Sequence, residues 1–494
     1  MKTGFNNQLY IQKQTEHIKE RINQFGNKLY LEFGGKLFDD LHAARVLPGF
    51  DVNGKIRLLQ EFKDMAEIIL CINAKDIEKN KIRADIGISY DMECCRLIDK
   101  LREMGLYINS VVITQYGGQS SADLFRKKLE MRDVKTYLHY PIAGYPANID
   151  LIVSDEGYGQ NDYVATTRPL VVVTAPGPCS GKLATCLSQL YHEYKRGVNA
   201  GYAKFETFPI WNIPLKHPVN LAYEAATADL KDINMIDPYH LEAYGVTTVN
   251  YNRDIEAFPV VRTILNKIMD GKDVYKSPTD MGVNMAGYAI EDDEIVRKAA
   301  SQEIIRRYYK CCCDHKLGLA DQETAERAEL IMNQLDLKSE DRPVIAVALK
   351  KAADTGLSSI AIELPDGTVI TGRTSTLMTA ASSMVINSLK HMADFSDDLL
   401  LLSPVVIEPI IALKRDLFQY KNPVLSLEEI LIALSVCAAT SPFAQKALSY
   451  LDLLRGCEAH SSCMLTSSEE QFIKNLGINL TCEPEFPSSE LYFG

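Results

Sequence analysis

The sequence predicts an α/β protein with a parallel-sheet domain over residues 1–215, a mainly helical middle region over 216–340 and a second α/β domain over 341–494. Three observations carry this. Short continuous apolar runs at Ile68–Ile72, Val111–Thr114 and Leu170–Thr174 read as strands covered on both faces. Helical patterns stand between them, as parallel strands require. Beyond residue 340 a strand, a Pro365-Asp366-Gly367 turn, a returning strand and a helix follow one another.

Each element has a local reason. Cys94, Leu97, Ile98 and Leu101 fall on one face of a helix over Met92–Met104, which Gly105 ends. Ile149–Val153 reads as a further strand. The helix after Lys182 carries Leu183, Leu187, Leu190, Tyr191 and Tyr194 on one stripe. In the middle region, Ile304–Lys316 and Ala320–Leu337 read as helices, and the acidic run at 291–294 as a solvated helix start. In the last third, Ile360, Ile362 and Leu364 alternate along a strand, with Thr368–Thr371 as its hairpin partner. Helices are expected over Leu377–Met392, from Ser426 with a Ser426/Glu429 capping box, around Ala444–Leu451, and over Ser468–Leu476. Strands are expected at Ser462–Thr466 and Ile478–Thr481. Leu399–Leu413 is the most apolar stretch; with Pro404, Glu408 and Pro409 inside it, it reads as a buried strand rather than a membrane span.

Bulk properties narrow the function classes. At ~100–200 residues per domain, 494 residues make two to four domains. A composition of 46% hydrophobic and 24% charged residues is that of a folded protein, not a disordered one. The net charge of −12 supplies no positive field for non-specific nucleic-acid binding. The 12 cysteines include the neighbours Cys94–Cys95 and Cys311–Cys313, which suits reduced thiols. Met1–Glu20 is polar, without the apolar core of a signal peptide, so the expected location is the cytoplasm.

The sharpest constellation runs from Leu170 to Lys182: a buried strand, then Ala175-Pro176-Gly177-Pro178-Cys179-Ser180-Gly181-Lys182, then an amphipathic helix. Small residues let backbone amides face an anion, the helix N-terminus adds a positive dipole end, and the lysine adds a point charge. The arrangement is that of a Rossmann or P-loop-like domain, with Gly177, Ser180, Gly181 and Lys182 as the phosphate cradle. The match to G-x-x-x-x-G-K-[ST] is imperfect. Pro176 stands at the first glycine, and Leu183 replaces the hydroxyl that holds magnesium. Thr185 is turned away by the helix. The expected ligand is a phosphate-bearing small molecule, a nucleotide such as ATP among them. If magnesium takes part, it comes from elsewhere, with Asp155 at the end of the Leu151–Val153 run as its candidate. The alternative is a tight strand-to-helix turn with a surface lysine. Cys179, at the helix N-terminus beside a lysine, is a candidate nucleophile, although the C-x5-R phosphatase pattern fails at Thr185.

Other clusters carry a functional and a bland reading side by side. His217, Glu224, Asp229, Asp237 and His240 suit a metal site or a substrate-binding face, although no H-E-x-x-H spacing is present, or else an exposed polar helix. Ser277–Gly287 reads as a structured loop with Asp280, a second catalytic candidate, and Asn284 as contacts. Cys457, His460 and Cys463 are possible zinc ligands, or a buried strand edge with a hydrogen-bonded histidine.

Glu32-Phe33-Gly34-Gly35-Lys36, the Pro176–Lys182 loop, Ser277–Asn284 and Cys457–His460 together resemble an uncharacterised bacterial protein family, a domain-of-unknown-function group, over essentially the whole chain. Members have been labelled ATP-dependent peptidases, yet this sequence has no H-E-x-x-H and no evident Ser–Lys or Ser–His pairing. The C-terminal part, through its element order and Asp366–Gly372, resembles the cytidine-deaminase fold. It lacks that family's zinc ligands: Ser375-Thr376-Leu377-Met378-Thr379 stands where H-x-E or C-x-E belongs. The resemblance therefore implies a fold without deamination. Three functional readings follow: a phosphate-dependent enzyme of phosphotransfer or ligase type, a metal-dependent hydrolase using Cys457 and His460, and a non-catalytic homo-oligomeric scaffold.

Overall fold

The computed structural model describes residues 3–38, 40–83 and 86–488. The chain forms two compact units. One comprises the described residues up to Glu224 together with Asp232–Ala300. The other comprises Ala225–Lys231 and the described residues from Ser301 onward.

The first unit is built on a seven-stranded parallel sheet. Its strands are β1 (Leu29–Phe33), β2 (Ala66–Asn73), β3 (Ile108–Thr114), β4 (Lys135–Leu138), β5 (Leu170–Thr174), β6 (Gly201–Phe205) and β7 (Gly282–Val283), in the order β7-β6-β1-β5-β2-β3-β4. The pairs are in parallel register, among them Leu31 with Val172 and with Ala203. The apolar runs are fully buried: every residue of β1, β3 and β5 is. Such runs form strands because their β-branched residues fill the pleated surface on both faces.

Helices cover the sheet: α1 (Asn7–Gln24), α2 (Tyr90–Glu103), α3 (Lys182–Lys195) and α4 (Asn252–Ile268). The Asn6 side chain caps α1 through the Leu9 amide. On α2, Cys94, Leu97, Ile98 and Leu101 face inward, as their spacing requires. The chain leaves β1 toward β2 and leaves β5 toward β6, so two adjacent strands send their connections in opposite directions. Ligands of open parallel sheets bind outside the carboxyl ends at such a switch point. The loops after β1 and β5 flank it.

Within 216–300 the chain also forms a short antiparallel pair, Asn234–Ile236 with Val249–Tyr251, and β7 at the sheet edge. The Ile149–Val153 strand is corrected: Ile149–Ile152 is one helical turn, capped by the Asn148 side chain. Four apolar residues are too few for periodicity to separate strand from helix.

The second unit holds a four-stranded mixed sheet of β8 (Ser359–Glu363), β9 (Val369–Arg373), β10 (Glu458–Ser461) and β11 (Asn479–Cys482), in the order β9-β8-β10-β11. β8 is antiparallel to both its neighbours, while β10 and β11 are parallel. Helix α5 (Ala380–Met392) follows the hairpin, and α6 (Leu427–Ala438) carries the expected capping box between Ser426 and Glu429. Two expectations are corrected here. The strand expected at Ser462–Thr466 lies earlier, at Glu458–Ser461. Leu399–Leu413 is not a buried strand: Pro404–Ala412 is a helix with Pro404 in its first turn, where the missing amide costs nothing, and Val405 is 81% exposed. Among the described residues no helix is long and apolar enough to cross a membrane.

Candidate functional site

The loop between β5 and α3 is shaped by its glycines. A Cβ on Gly177 would lie 2.5 Å from the Tyr90 phenol, so the backbone rests directly on that ring. Gly181 has φ +87°, and a Cβ there would come within 2.9 Å of Thr114. Cys179 also has positive φ, at +57°. These two left-handed residues turn the chain into the 14-residue helix α3. The Thr114 hydroxyl donates to the Ser180 carbonyl at 2.8 Å, and Ser180 Oγ donates to the Gly177 carbonyl at 2.9 Å. Ser180 thus contributes backbone to the loop, and its buried hydroxyl faces inward.

The amides tell where the loop points. The first hydrogen bond of α3 runs from the Thr185 amide to the Gly181 carbonyl. Among the described residues, the amides of Gly177, Cys179 and Gly181 through Ala184 donate to no protein acceptor, while that of Ser180 closes the turn over Pro178 and Cys179. Lys182 opens the helix half-buried beside them. Thr185 is fully buried and accepts from the Cys71 thiol at 3.3 Å, so it offers no metal ligand. Leu183 carries no ligating atom.

Asp155 is corrected as a partner of this loop. Its carboxylate accepts from Tyr191 at 2.5 Å and pairs with Lys195 at 3.1 Å. At ~1.5 Å per residue, those positions on α3 lie about 13–20 Å beyond Lys182. Neither Leu183, Thr185 nor Asp155 fits a magnesium ion at this loop. Among the described residues, no three His, Cys, Asp or Glu side chains converge as a metal site.

Sequence reasoning missed a charged cluster at the ends of β1 and β6. Registered partners of parallel strands share a face, so Glu32 stands beside Lys204 and Tyr30 beside Tyr202. Tyr30 donates to Glu193 on α3 at 2.7 Å, which puts this face under α3. Lys204 bridges Glu206 at 2.6 Å and Asp254 at 2.7 Å, and Tyr202 donates to Glu32 at 2.8 Å. Burial and the neighbouring Asp254 push the Glu206 carboxyl up to about 7, against the pull of Lys204. Burial alone would lower Lys204, but Asp254 and Glu206 hold it well above the usual lysine range. The legible signal was Gly-Tyr-Ala-Lys-Phe-Glu, two charges two residues apart on an otherwise apolar strand. Gly34 lets the β1 loop pass this cluster, and Gly35 lets it pass Lys55. The Gly34 amide donates to the Phe205 carbonyl at 3.2 Å, and a Cβ on Gly35 would meet Lys55 Nζ at 2.9 Å.

The 216–290 candidates separate. His217 pairs with Asp293 at 2.8 Å, Asn220 holds the Ile210 backbone, and Glu224 accepts from Asn234. These are structural. Asp229 sits in the 3-10 turn Ala228–Leu230. Asp237 and His240 instead meet the Ser277–Gly287 loop. Buried Asp237 accepts from the Thr279 amide and hydroxyl, and His240 Nδ1 lies 2.8 Å from Ser277 Oγ. His240, Thr279, Asp280 and Asn284 border a cavity of about 280 Å³, with Asp237 behind Thr279. This cavity is at the β7 edge, not at the anion loop.

The zinc candidates are differently engaged. Cys457 Sγ donates to the Leu453 carbonyl, and Cys463 is buried. His460, fully buried, has Nδ1 2.8 Å from Thr481 Oγ1 and Nε2 3.2 Å from Glu483. Burial lowers its pKa. Cys179, by contrast, is exposed.

Fold and site together define a mixed α/β protein whose parallel sheet carries a loop-to-helix turn with unpartnered amides at its switch point. The chain matches the family described as "Domain of unknown function DUF1846, N-terminal" over residues 3–336 and its C-terminal counterpart over 340–492. It is 56% identical to "UPF0371 protein" of Clostridium botulinum (strain Kyoto / Type A2) and of Clostridium tetani (strain Massachusetts / E88), with both chains covered completely. The counterpart in C. botulinum strain Alaska E43 is 55% identical, again over the full length. The chain belongs to this uncharacterised DUF1846 family, of unknown function.

Proposed function

We propose that the chain binds a phosphate-bearing small molecule, a nucleotide or phosphorylated metabolite, on the amides of Gly177, Cys179 and Gly181 through Ala184 and on Lys182. The observation that carries this reading is that run of unpartnered amides at the start of α3. Such groups favour an anion through both hydrogen bonds and the helix dipole. Their position beside the switch point supports it. Strands β5 and β6 flank β1, so at ~4.8 Å per strand the loop and Glu206 stand about 10 Å apart. That spacing suits a ligand whose phosphate rests on the loop while its reacting end meets the Glu206–Lys204–Asp254 cluster. Glu206, with a pKa near neutrality, would take or give the proton of a phosphotransfer or ligation step.

Thermal shift with inorganic phosphate, ATP, GTP and sugar phosphates tests this. A ligand at about 100 times its Kd adds about 2.7 kcal/mol to the native state. At least one compound should raise Tm, and Lys182→Ala should abolish the rise while keeping its own ligand-free Tm. No shift with any of them, or an equal shift in Lys182→Ala, would sink the reading.

A further inference from the structure

We propose that the cavity at the β7 edge of the parallel sheet binds a small, neutral, planar nitrogen heterocycle of nucleobase or nucleoside size. The observations are independent of the anion loop, which lies three strands away, about 14 Å at ~4.8 Å per strand.

The walls are built rather than incidental. A Cβ on Gly282 would sit 2.4 Å from the Trp211 indole, and one on Gly287 would sit 1.9 Å from Asn212 Oδ1. The two glycines therefore admit Trp211 and Asn212 to the cavity wall. Fully buried Gln14 donates to the Val283 carbonyl at 3.0 Å and accepts from the Met285 amide at 2.8 Å. Buried Asn284 donates to the Thr207 and Pro209 carbonyls at 3.2 and 2.8 Å, fixing the segment that leads to Trp211. Asp237 fixes Thr279 from the opposite side.

The polar groups define the ligand. Asp280 Oδ2 accepts from the Tyr244 hydroxyl at 2.9 Å and the Lys276 amide at 2.8 Å. Its Oδ1 has His240 Nδ1 at 3.8 Å and, among the described residues, no hydrogen bond, so it is open to an N–H donor. Arg21 donates from Nη2 to the Asp280 carbonyl and from Nη1 to Gln24, while its Nε is sealed from solvent. One N–H of each Nη is thereby engaged and Nε is buried, and the Asp280 carboxylate in the same lining disfavours a carboxylate or phosphate ligand. Arg21 and Asp280 cancel each other's charge, so a neutral ligand leaves the balance intact. The rings of Trp211 and of Tyr288, 55% exposed, supply flat apolar surface. A heterocycle with an N–H beside a ring nitrogen or carbonyl matches this edge and these faces, and stacking on aromatic side chains is how such rings are commonly held. At about 280 Å³ the cavity lies just under the ~300–1,000 Å³ of drug-sized sites, which admits a base or nucleoside and excludes a dinucleotide.

Trp211 is the one tryptophan of the chain, so its fluorescence reports this cavity alone. The experiment titrates the full-length protein with adenosine, guanosine, cytidine and uridine. At least one is expected to quench saturably, beyond its effect on free N-acetyltryptophanamide. Asp280→Asn should weaken that binding at least about tenfold, the loss expected for a hydrogen bond to a charged group. Exposed Tyr288→Ala, which leaves the walls standing, should weaken it as well. Lys182→Ala should leave it unchanged, so failure here and failure at the anion loop are separate results. Quenching no greater than the control for all four nucleosides overturns the proposal. So does unaltered affinity in both variants, and so does saturation by free phenylalanine instead, which would mark an amino-acid site.

Discussion

The hydroxyl of Thr114, at the end of β3, donates to the carbonyl of Ser180 at 2.8 Å, reaching past β2 to hold the loop that precedes α3. Thr114→Val keeps the shape and removes the bond, leaving a buried carbonyl unpaired. The expected cost is about 1–3 kcal/mol, read from the denaturant midpoint, with weaker phosphate binding from a loosened loop. An unchanged midpoint would show that the loop is held by its glycines alone.

Gly181 and Cys179 both have positive φ, with opposite consequences for substitution. Gly181→Ala puts a Cβ against Thr114 in a left-handed conformation and should destabilise by about 1–3 kcal/mol. Cys179→Gly relieves that strain and should be neutral or stabilising. Paired chemical denaturation of the two variants checks the signs.

Cys179 is the exposed thiol among the 12 cysteines, and eight of the others are buried. Brief alkylation followed by peptide mapping should label Cys179 first. Its labelling should slow in the presence of any phosphate compound that raises Tm. Equal rates with and without that compound would place the anion elsewhere.

Glu206 gives a pH signature. Its carboxyl is raised from 4.5 to about 7 in the folded chain, so between those values the folded state holds a proton that the unfolded state has released. The associated stabilisation is complete below 4.5 and is lost as pH rises through about 7. Glu206→Gln has no such proton. The stability of the wild type relative to that variant should therefore fall across this window, and a flat difference would contradict the assignment. Groups remote from Glu206 cancel between the two proteins.

Arg342 has no exposed surface and pairs with Glu458. It also donates to the carbonyls of Ala459 and Asn479 and to Thr481 Oγ1. Arg342→Ala strips these acceptors at once and should cost about 3–5 kcal/mol in thermal or chemical unfolding. Lysine should not rescue it, since one ammonium cannot reproduce the planar fork.

The sheet strands were legible where short apolar runs are rich in β-branched residues and stand between helical patterns. Ile68–Ile72 and Leu170–Thr174 lie within β2 and β5. The Ser426/Glu429 box was legible because both halves are local. Ile149–Val153 and Leu399–Leu413 were misread because apolar content without a clear period does not distinguish strand from helix. In the second case Pro404 was the overlooked helix start. At the candidate site, the loop was visible as a contiguous motif. The Glu32–Lys204–Glu206–Asp254 cluster was not, because its members are separated by up to 222 positions and meet only through strand register.

β5 lies between β1 and β2 in the sheet although it follows both in the chain. A nascent chain that has not yet reached Leu170 has no centre to its sheet. The edges of β1 and β2 that β5 will cover are then unpaired and apolar. Assembly must await long-range closure, which slows folding and exposes sticky strand edges in the interval. Fragments truncated before residue 170 are accordingly expected to aggregate rather than to fold as a smaller domain.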